Sequence, residues 1–442
     1  MTKLLVRGGK VVDPFSGRSY QADILVAGGK IEAISRAFPD RGLKVLEAEG
    51  MYVFPGFLDL HAHLREPGKE EAEDLETGLR AAVRGGYTAV CCMPNTKPPL
   101  DNPELVEALY FKAKEIGLAD LFPVGCITRG REGRELADMG LMSSCRARVR
   151  AFSDDGDGVM DSGLMRRALL YSRALGTVII SHPEDRALSR GGQVNEGKAS
   201  YLMGLRGIPA LAEEVMVARD ILLAEETGAR LHLAHLSTAR SVQLVREARK
   251  RGVPVTAEVT PHHLLLTEED IRGYDTNFKV NPPLRTRDDV RALLEGLVDG
   301  TIDAVATDHA PHTRESKEQE FDYAPFGISG LETAFPLLYT ELVLRGELGL
   351  DELVALFTSG PARVLGVSPP LYGGQLVEGR IADLVIFDPR ARWVIDPSRF
   401  ASKGRNTPFA GREVKGRVVG VLKEGRVVYA EDGLLQDVGT VS

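Results

Sequence analysis

The chain has 442 residues, of which 43% are hydrophobic and 27% charged, and its formal net charge is −8 at pH 7. This negative charge, without a long run of Lys or Arg, argues against nucleic acid as the main partner, and no apolar stretch approaches the ~18 residues of a membrane span. The length fits one α/β barrel of about 250 residues together with a smaller domain.

The N-terminus interrupts its apolar run with Arg7 and Lys10, so it cannot form the core of a signal peptide. We therefore expect the protein to stay in the cytoplasm, with no membrane partner. The cysteines lack C-x-x-C spacing, and we expect small buried side chains at all four positions: Cys91, Cys92, Cys126 and Cys145.

Residues 1–52 contain apolar runs with Gly-Gly turns at Gly8-Gly9 and Gly28-Gly29, and this pattern predicts two β-hairpins. A similar run with a turn at Gly425 occurs near the other end of the chain. We therefore expect both termini, residues 1–52 and 366–442, to form one small composite β-sandwich domain.

Between residues 53 and 365, short apolar runs alternate with longer amphipathic stretches such as 70–84, 164–175, 212–226 and 239–251. Eight strands that alternate with helices over this length are typical of a TIM barrel. The eight predicted strands are Val53–His61, Tyr87–Met93, Leu121–Ile127, Val149–Ser153, Thr177–Ser181, Leu231–His235, Val255–Val259 and Ile302–Thr307.

Polar residues with metal-binding or catalytic chemistry follow these runs. In a barrel the carboxyl ends of the strands converge on one face, where the active sites of this fold lie. Of the nine histidines only His232 is not at or just past the end of a run, which disfavours chance placement on the surface. The residues are His61, His63 and Arg65, Asn95, Asp154 and Asp155, His182, His235, His262 and His263, and Asp308, His309 and His312.

Histidines and aspartates at these positions form a nitrogen and oxygen ligand set that suits Zn²⁺. His61 and His63 are two residues apart on a strand, so both imidazoles point to one side. Six ligands are too many for one tetrahedral zinc, which favours two ions, a bridging carboxylate and a water held as nucleophile. Asp308 could ligate an ion and also carry the proton of that water. Spacing alone does not choose between Asp154 and Asp155, and it leaves the roles of His262 and His263 open.

Several motifs together resemble class I bacterial dihydroorotases of the amidohydrolase superfamily. They are His61-Ala62-His63-Leu64-Arg65-Glu66-Pro67-Gly68, Met93-Pro94-Asn95-Thr96, Ala151-Phe152-Ser153-Asp154-Asp155-Gly156, Asn281-Pro282-Pro283-Leu284-Arg285, Asp308-His309-Ala310-Pro311-His312 and Asn406-Thr407-Pro408-Phe409. The resemblance implies reversible cyclisation of N-carbamoyl-L-aspartate to dihydroorotate in pyrimidine synthesis.

The same resemblance implies a role for each site residue. His61, His63 and Asp308 would bind one Zn²⁺, His182 and His235 a second, and Asp155 would bridge the two, while Asp308 would also be catalytic. The substrate contacts would be His63, Arg65, Asn95, Asn281, His312, Phe326 and Gly327. An arginine suits this substrate because a guanidinium can bind a carboxylate with two parallel hydrogen bonds. Residues 313–327 are expected to form a loop over the site.

Two other functions remain possible at the level of sequence. Allantoinases and hydantoinases share parts of these motifs, but they bridge their metals with a carboxylated lysine, and residues 149–158 contain no lysine. A catalytically silent homologue that scaffolds aspartate transcarbamoylase would be expected to lack metal ligands, and every expected ligand is present. The resemblance also suggests a homodimer and aspartate transcarbamoylase as a possible partner.

Overall fold

The computed structural model of the chain describes residues 3–39, 42–367, 372 and 375–437. Its strands in chain order are β1 Leu4–Asp13, β2 Arg18–Ala27, β3 Lys30–Ser35, β4 Lys44–Glu47, β5 Tyr52–Pro55, β6 Phe57–Ala62, β7 Tyr87–Cys92, β8 Asp120–Pro123, β9 Ala151–Phe152, β10 Val178–Ser181, β11 Val194–Asn195, β12 Gly207–Ile208, β13 Leu231–Leu233, β14 Val255–Val259, β15 Ala304–Val305, β16 Leu384–Val394, β17 Glu413–Lys423, β18 Arg426–Ala430 and β19 Leu435–Asp437.

The α-helices lie mainly in the central part of the chain. In order they are α1 Leu75–Arg84, α2 Pro103–Ile116, α3 Met139–Ser144, α4 Ser162–Leu175, α5 Arg186–Ser189, α6 Lys198–Met203, α7 Leu211–Thr227, α8 Ala239–Lys250, α9 Pro261–Leu265, α10 Arg287–Val298, α11 Arg314–Lys317, α12 Ala334–Leu338, α13 Leu350–Phe357 and α14 Ser359–Leu365. The predicted helices near α4, α7 and α8 are confirmed. The helix predicted from residue 70 begins only at Leu75, because Asp74 caps its first turn by accepting from the backbone N–H of Thr77. Among the described residues, no helix combines the length and the apolar character that crossing a membrane requires.

One nine-stranded sheet contains strands from both ends of the chain. Its order is β18-β17-β16-β5-β1-β2-β3, and β4 and β19 pair with each other beside β1. The predicted turns at Gly28-Gly29 and Gly425 are confirmed, but the predicted turn at Gly8-Gly9 is wrong. These two glycines lie inside β1 at a bulge in its pairing with β2, where Gly8 has φ +68° and a Cβ on Gly9 would lie 2.4 Å from Val53.

Eight parallel strands of the central region form two further sheets. One has the order β6-β7-β8 and the other has the order β15-β14-β13-β10-β9. Parallel bridges join the two sheets at both edges, from Gly125 to Phe152 and from Ala62 to His309. Among these eight strands, each is therefore adjacent to the one that follows it in the sequence, and the carboxyl ends of all eight lie at one end of the structure.

The first predicted strand divides into two strands at Gly56. β5 pairs with β1 and β16 in the nine-stranded sheet, whereas β6 pairs with β7 in a parallel sheet. A side chain at Gly56 could not fit, because its Cβ would lie 2.1 Å from Thr88 Oγ1. Aromatic side chains pack across the same junction: Phe54 contacts Phe387 with ring centroids 5.7 Å apart, and Phe57 contacts Phe335 at 4.7 Å. These contacts place β6, which contains His61 and directly precedes His63, on a rigid base.

Candidate active site

The strand exits converge on a small cavity of about 190 Å³. Ten of the twelve predicted site residues line it: His63, Arg65, Asn95, Asp155, His182, His235, Asn281, Asp308, Phe326 and Gly327. The other two lie directly behind this lining. His61 is fully buried beneath it, and His312 contacts Arg65 and Phe326. Side chains that are far apart in the sequence are therefore brought together as predicted.

Asp155 lies at the centre of a cluster of histidines. Its Oδ1 atom is 3.3 Å from His61 Nε2 and 3.4 Å from His182 Nδ1, and its Oδ2 atom is 3.6 Å from His63 Nε2. Its neighbour Asp154 points elsewhere and accepts hydrogen bonds from the backbone N–H groups of Ile127 and Thr128. The structure thus distinguishes two aspartates that spacing could not.

The cluster has two features of a metal site: closely spaced ligand atoms, and buried polar atoms without hydrogen-bond partners. Two overlapping groups have ligand atoms within 4.8 Å of one another: His61, His63 and Asp308, and His61, Asp155 and His235. His182 Nδ1 is 2.9 Å from His235 Nε2, close enough for both nitrogens to bind one ion. His61 Nε2 and Asp155 Oδ1 are buried and have no hydrogen-bond partner among the described residues. Because buried polar atoms are normally satisfied, these residues fit a divalent metal.

The imidazole of His61 is held from behind by a buried carboxylate. Glu258 Oε1 lies 3.0 Å from His61 Nδ1, and Glu258 Oε2 lies 3.0 Å from His232 Nε2. All three side chains are fully buried, and we call His61, Glu258 and His232 the floor of the site. Although burial opposes it, the hydrogen bonds from His232 and His61 lower the pKa of Glu258 to about 2. Glu258 therefore stays charged and fixes His61 with Nε2 towards Asp155.

Five residues line the cavity or directly contact its lining outside the floor, and we call them the rim: Arg65, His182, Glu184, Asn281 and His312. Arg65 Nε donates to the carbonyl oxygen of Pro311 at 3.1 Å, and Arg65 Nη2 lies 3.3 Å from His312 Nε2. Burial lowers the pKa of Arg65 to about 10, so the guanidinium remains a cation near neutral pH. A buried cation beside the cavity is suited to binding an anionic group of a substrate.

The segment 313–327 covers one side of the cavity and is held by two buried lysines. Lys317 Nζ donates to the carbonyl oxygens of Pro325 at 3.0 Å and Gly327 at 3.3 Å. Lys279 Nζ donates to the carbonyl oxygen of Phe321 at 2.6 Å and lies 4.6 Å from the centroid of the Phe326 ring. These hydrogen bonds determine where the backbone of Phe326 and Gly327 meets the cavity.

Three site residues have a backbone conformation that L-residues rarely adopt. The φ angles of Arg65, His235 and Asp308 are 63°, 35° and 45°. A positive φ costs energy for residues other than glycine, and such strain concentrates at functional sites. Each of these residues follows a parallel strand, so the sharp turn at the exit directs its side chain into the cavity.

Comparison with known proteins connects this site to a family. A family model described as dihydro-orotase-like matches residues 50–241, and one described as amidohydrolase family matches residues 329–429. A dihydroorotase from Pelotomaculum thermopropionicum is 55% identical over 430 residues, covering 97% of this chain and 99% of the relative. A dihydroorotase from Thermoanaerobacter sp. is 49% identical, covering 97% and 98%.

The chain belongs to the dihydroorotase family. Among solved structures, the L-hydantoinase (dihydropyrimidinase) from Arthrobacter aurescens superposes with a TM-score of 0.86 at 28% identity, covering 99% of this chain and 98% of that chain. This chain therefore shares its mixed α/β fold with that hydantoinase.

Sequence reasoning missed the residues that support the site of this dihydroorotase family member. Glu258 was part of a predicted strand and His232 was set aside, yet the two form most of the floor. The signal for Glu258 was a carboxylate within an otherwise apolar run. Glu184 was also missed, although it follows His182 closely and binds its ring. His263 Nε2 lies 2.9 Å from the carbonyl oxygen of Pro282, and neither His262 nor His263 lines the cavity.

Proposed function

We propose that the chain is a class I dihydroorotase, which catalyses the reversible cyclisation of N-carbamoyl-L-aspartate to (S)-dihydroorotate plus water in pyrimidine biosynthesis. The chain is a hydrolase that acts on cyclic amides, as its family membership implies. The observation that carries the proposal is the cavity that joins a His/Asp cluster to a buried arginine within one small volume. Such a cavity suits a compact substrate with both an amide and a carboxylate.

We propose that the eight parallel strands form a TIM barrel from residues 53–365, and that residues 1–52 and 366–442 form a composite β-sandwich domain. The bridges at both edges of the parallel sheets support closure, and the nine-stranded sheet supports a domain built from both termini. Tyr52–Pro55 pairs with the nine-stranded sheet and would link the two domains. Residues 1, 2, 40, 41, 368–371, 373, 374 and 438–442 of these segments lie outside the described residues.

For the metal centre we propose two Zn²⁺ ions per subunit. His61, His63 and Asp308 would hold one ion, His182 and His235 the other, and Asp155 would bridge them. The distances of Asp155 from three of these histidines support its bridging position. When bound, a divalent metal lowers the pKa of a water beside it and polarises the amide carbonyl.

The side chains have distinct tasks in the hydrolytic direction. Asp308 would accept the proton of the attacking water and pass it to the leaving ring nitrogen, and its Oδ1 lies 3.0 Å from His63 Nε2. Arg65, with Asn95 and His312, would bind the substrate carboxylate. His63 would hold Asn95 in place, because its Nδ1 lies 2.9 Å from Asn95 Oδ1. Asn281 and the backbone of Phe326 and Gly327 would orient the ring.

A substrate comparison tests the proposed function. The purified protein should turn over dihydroorotate and N-carbamoyl-L-aspartate at least a hundredfold more efficiently, as kcat/KM, than allantoin or hydantoin, since a site built for a carboxylate discriminates strongly against substrates that lack it. Removal of metal with a chelator should abolish this activity, and added Zn²⁺ should restore it. A preference for allantoin or hydantoin would contradict the proposal.

The alternatives have specific weaknesses. A hydantoinase-type activity is suggested by the structural neighbour, but the residue that meets the histidine cluster after β9 is Asp155 and not a lysine. A silent homologue that only scaffolds aspartate transcarbamoylase would have no reason to keep the buried His/Asp cluster. We further propose a cytoplasmic homodimer, with aspartate transcarbamoylase as a possible partner. Size-exclusion chromatography alone and with that enzyme tests both associations.

A further inference from the structure

We propose that Glu184 is a positioning residue that couples the metal-binding side of the cavity to the substrate-binding side. The coupling passes through one carboxylate oxygen that is shared by His182 and Asn281. This inference rests on the proposed function, because it assigns His182 to a metal and Asn281 to the substrate.

The shared oxygen has a defined geometry. Glu184 Oε2 lies 3.0 Å from His182 Nε2 and 2.9 Å from Asn281 Nδ2. The side chain of Glu184 is only 16% exposed, and it lies at the edge of a second cavity that also contacts Asn281 and Phe326. A single atom therefore contacts two residues that are 99 positions apart in the sequence, since they carry the numbers 182 and 281.

The contact with His182 determines the tautomer of its ring. A carboxylate accepts hydrogen bonds and cannot donate them, so the proton of neutral His182 must lie on Nε2. This leaves the lone pair of Nδ1 directed at the cluster, 3.4 Å from Asp155 Oδ1 and 2.9 Å from His235 Nε2. A carboxylate behind a histidine ligand also increases the basicity of the ring and holds its orientation.

The contact with Asn281 determines which end of its amide faces the substrate. The amide oxygen would be repelled by the carboxylate, so only the NH₂ group can lie against Glu184. Asn281 Oδ1 then remains for the cavity, and it has no hydrogen-bond partner among the described residues. The geometry thus makes Asn281 an acceptor, and the matching substrate group is an N–H of a ureide. A substrate carbonyl at this position would be disfavoured.

Removing the carboxylate tests both halves of the coupling. Glu184→Ala should weaken metal retention about 10- to 100-fold in titrations with a chelator, as expected when the partner of a metal-binding histidine is lost. The KM for dihydroorotate should rise in the same variant under saturating Zn²⁺. Glu184→Gln should retain part of both properties, because the amide oxygen can accept from both neighbours. Glu196→Gln, which removes an exposed carboxylate just after β11, should match the wild type in both measurements.

A double variant separates coupling from general damage. If Glu184 acts on the substrate through Asn281, Glu184→Ala should raise KM little further when Asn281→Ala is already present. Multiplicative effects on KM would overturn the coupling, as would a Glu184→Ala variant that keeps wild-type metal retention. Metal retention is measured without substrate, so it still decides the His182 half if dihydroorotate is not turned over. In that case the proposed function is wrong, but the positioning role of Glu184 can still be tested. The effect of Glu184 on Asn281 is then measured as the change in KM for the cyclic amide that the protein does hydrolyse.

Discussion

The floor and the rim of the site each contain a carboxylate that binds a histidine, but the two carboxylates differ in their surroundings. In the floor, Glu258 is completely buried, and each of its oxygens meets a different histidine. In the rim, Glu184 is 16% exposed and uses one oxygen for His182 and for Asn281. The floor is therefore closed to the substrate, whereas Glu184 in the rim contacts Asn281, which lines the cavity that the substrate would occupy.

This difference separates two kinds of consequence. Removing a buried charged group destabilises the fold, because its former hydrogen-bond partners stay buried in a medium of low dielectric constant without an acceptor. A group at the edge of a cavity can regain water when its partner is removed, so its loss changes binding more than folding. We therefore expect floor substitutions to lower stability and rim substitutions to lower substrate affinity or metal retention.

The largest effect is expected at Asp308, which lines the cavity and contacts His61 of the floor. Its Oδ1 atom is 3.7 Å from His61 Nε2 and 3.0 Å from His63 Nε2. Asp308→Asn preserves the shape of the side chain but removes the proposed proton acceptor, so kcat should fall by roughly 10²- to 10⁴-fold or more. Circular dichroism should show an intact fold. Near-normal turnover in this variant would remove Asp308 from its proposed catalytic role.

A large loss of stability is expected in the floor. Glu258→Ala removes two hydrogen bonds to a charged acceptor, each contributing roughly 1.5–3 kcal/mol, so the free energy of unfolding should fall by about 3 kcal/mol or more. Urea denaturation of the metal-free protein measures this change. The matched rim variant, Glu184→Ala, should lose about 1 kcal/mol, in the ordinary range for a partly exposed site. Equal losses in the two variants would contradict the distinction between floor and rim.

A smaller effect, mainly on substrate binding, is expected at Arg65. Arg65→Lys keeps the positive charge but loses the planar fork that binds a carboxylate with two hydrogen bonds. Loss of one charge-assisted hydrogen bond, about 1.5–3 kcal/mol, corresponds to a roughly ten- to hundredfold decrease in kcat/KM for dihydroorotate. Lysine has the same steric cost as arginine at φ 63°, but it lacks the Nε that donates to the carbonyl oxygen of Pro311, so the free energy of unfolding should fall by about 1–2 kcal/mol. Steady-state kinetics and thermal denaturation together test this prediction.

The sequence predicted which residues converge on the site better than it predicted the residues that hold them in place. His61, His63, Asp155, His182, His235 and Asp308 could be found because each lies at or just past a strand exit, a local feature of the chain. Glu258 lies inside β14, and its contact with His61 spans 197 residues, so only the tertiary structure identifies it. The orientation of Asp155 rather than Asp154 towards the cavity likewise depends on the backbone N–H groups that bind Asp154.

The fold shows the same limit of local information. Alternation of apolar runs and helical stretches predicted the parallel strands. The Gly8-Gly9 pair, however, was predicted to form a turn and instead forms a bulge within β1. Whether two glycines form a turn or a bulge depends on the neighbouring strand, here through the close approach of Val53 to Gly9. Likewise, the division of the first run at Gly56 depends on packing against Thr88.

The smallest predicted effect concerns the lysine that holds the segment over the rim. Burial, with a further contribution from the charge of Lys279, lowers the pKa of Lys317 to about 7, against an ordinary value of 10.5. Between these two values the unfolded chain binds more protons than the folded protein, so the free energy of unfolding should increase with pH in this range, by at most about 1.4 kcal/mol per pH unit. Lys317→Met removes this contribution, so the free energy of unfolding of the variant should depend less steeply on pH from 7 to 10.

The matched control is Lys198→Met, at an exposed side chain, which should keep the wild-type slope in urea denaturation. An unchanged slope in Lys317→Met would show that Lys317 is not the group whose titration makes the free energy of unfolding depend on pH.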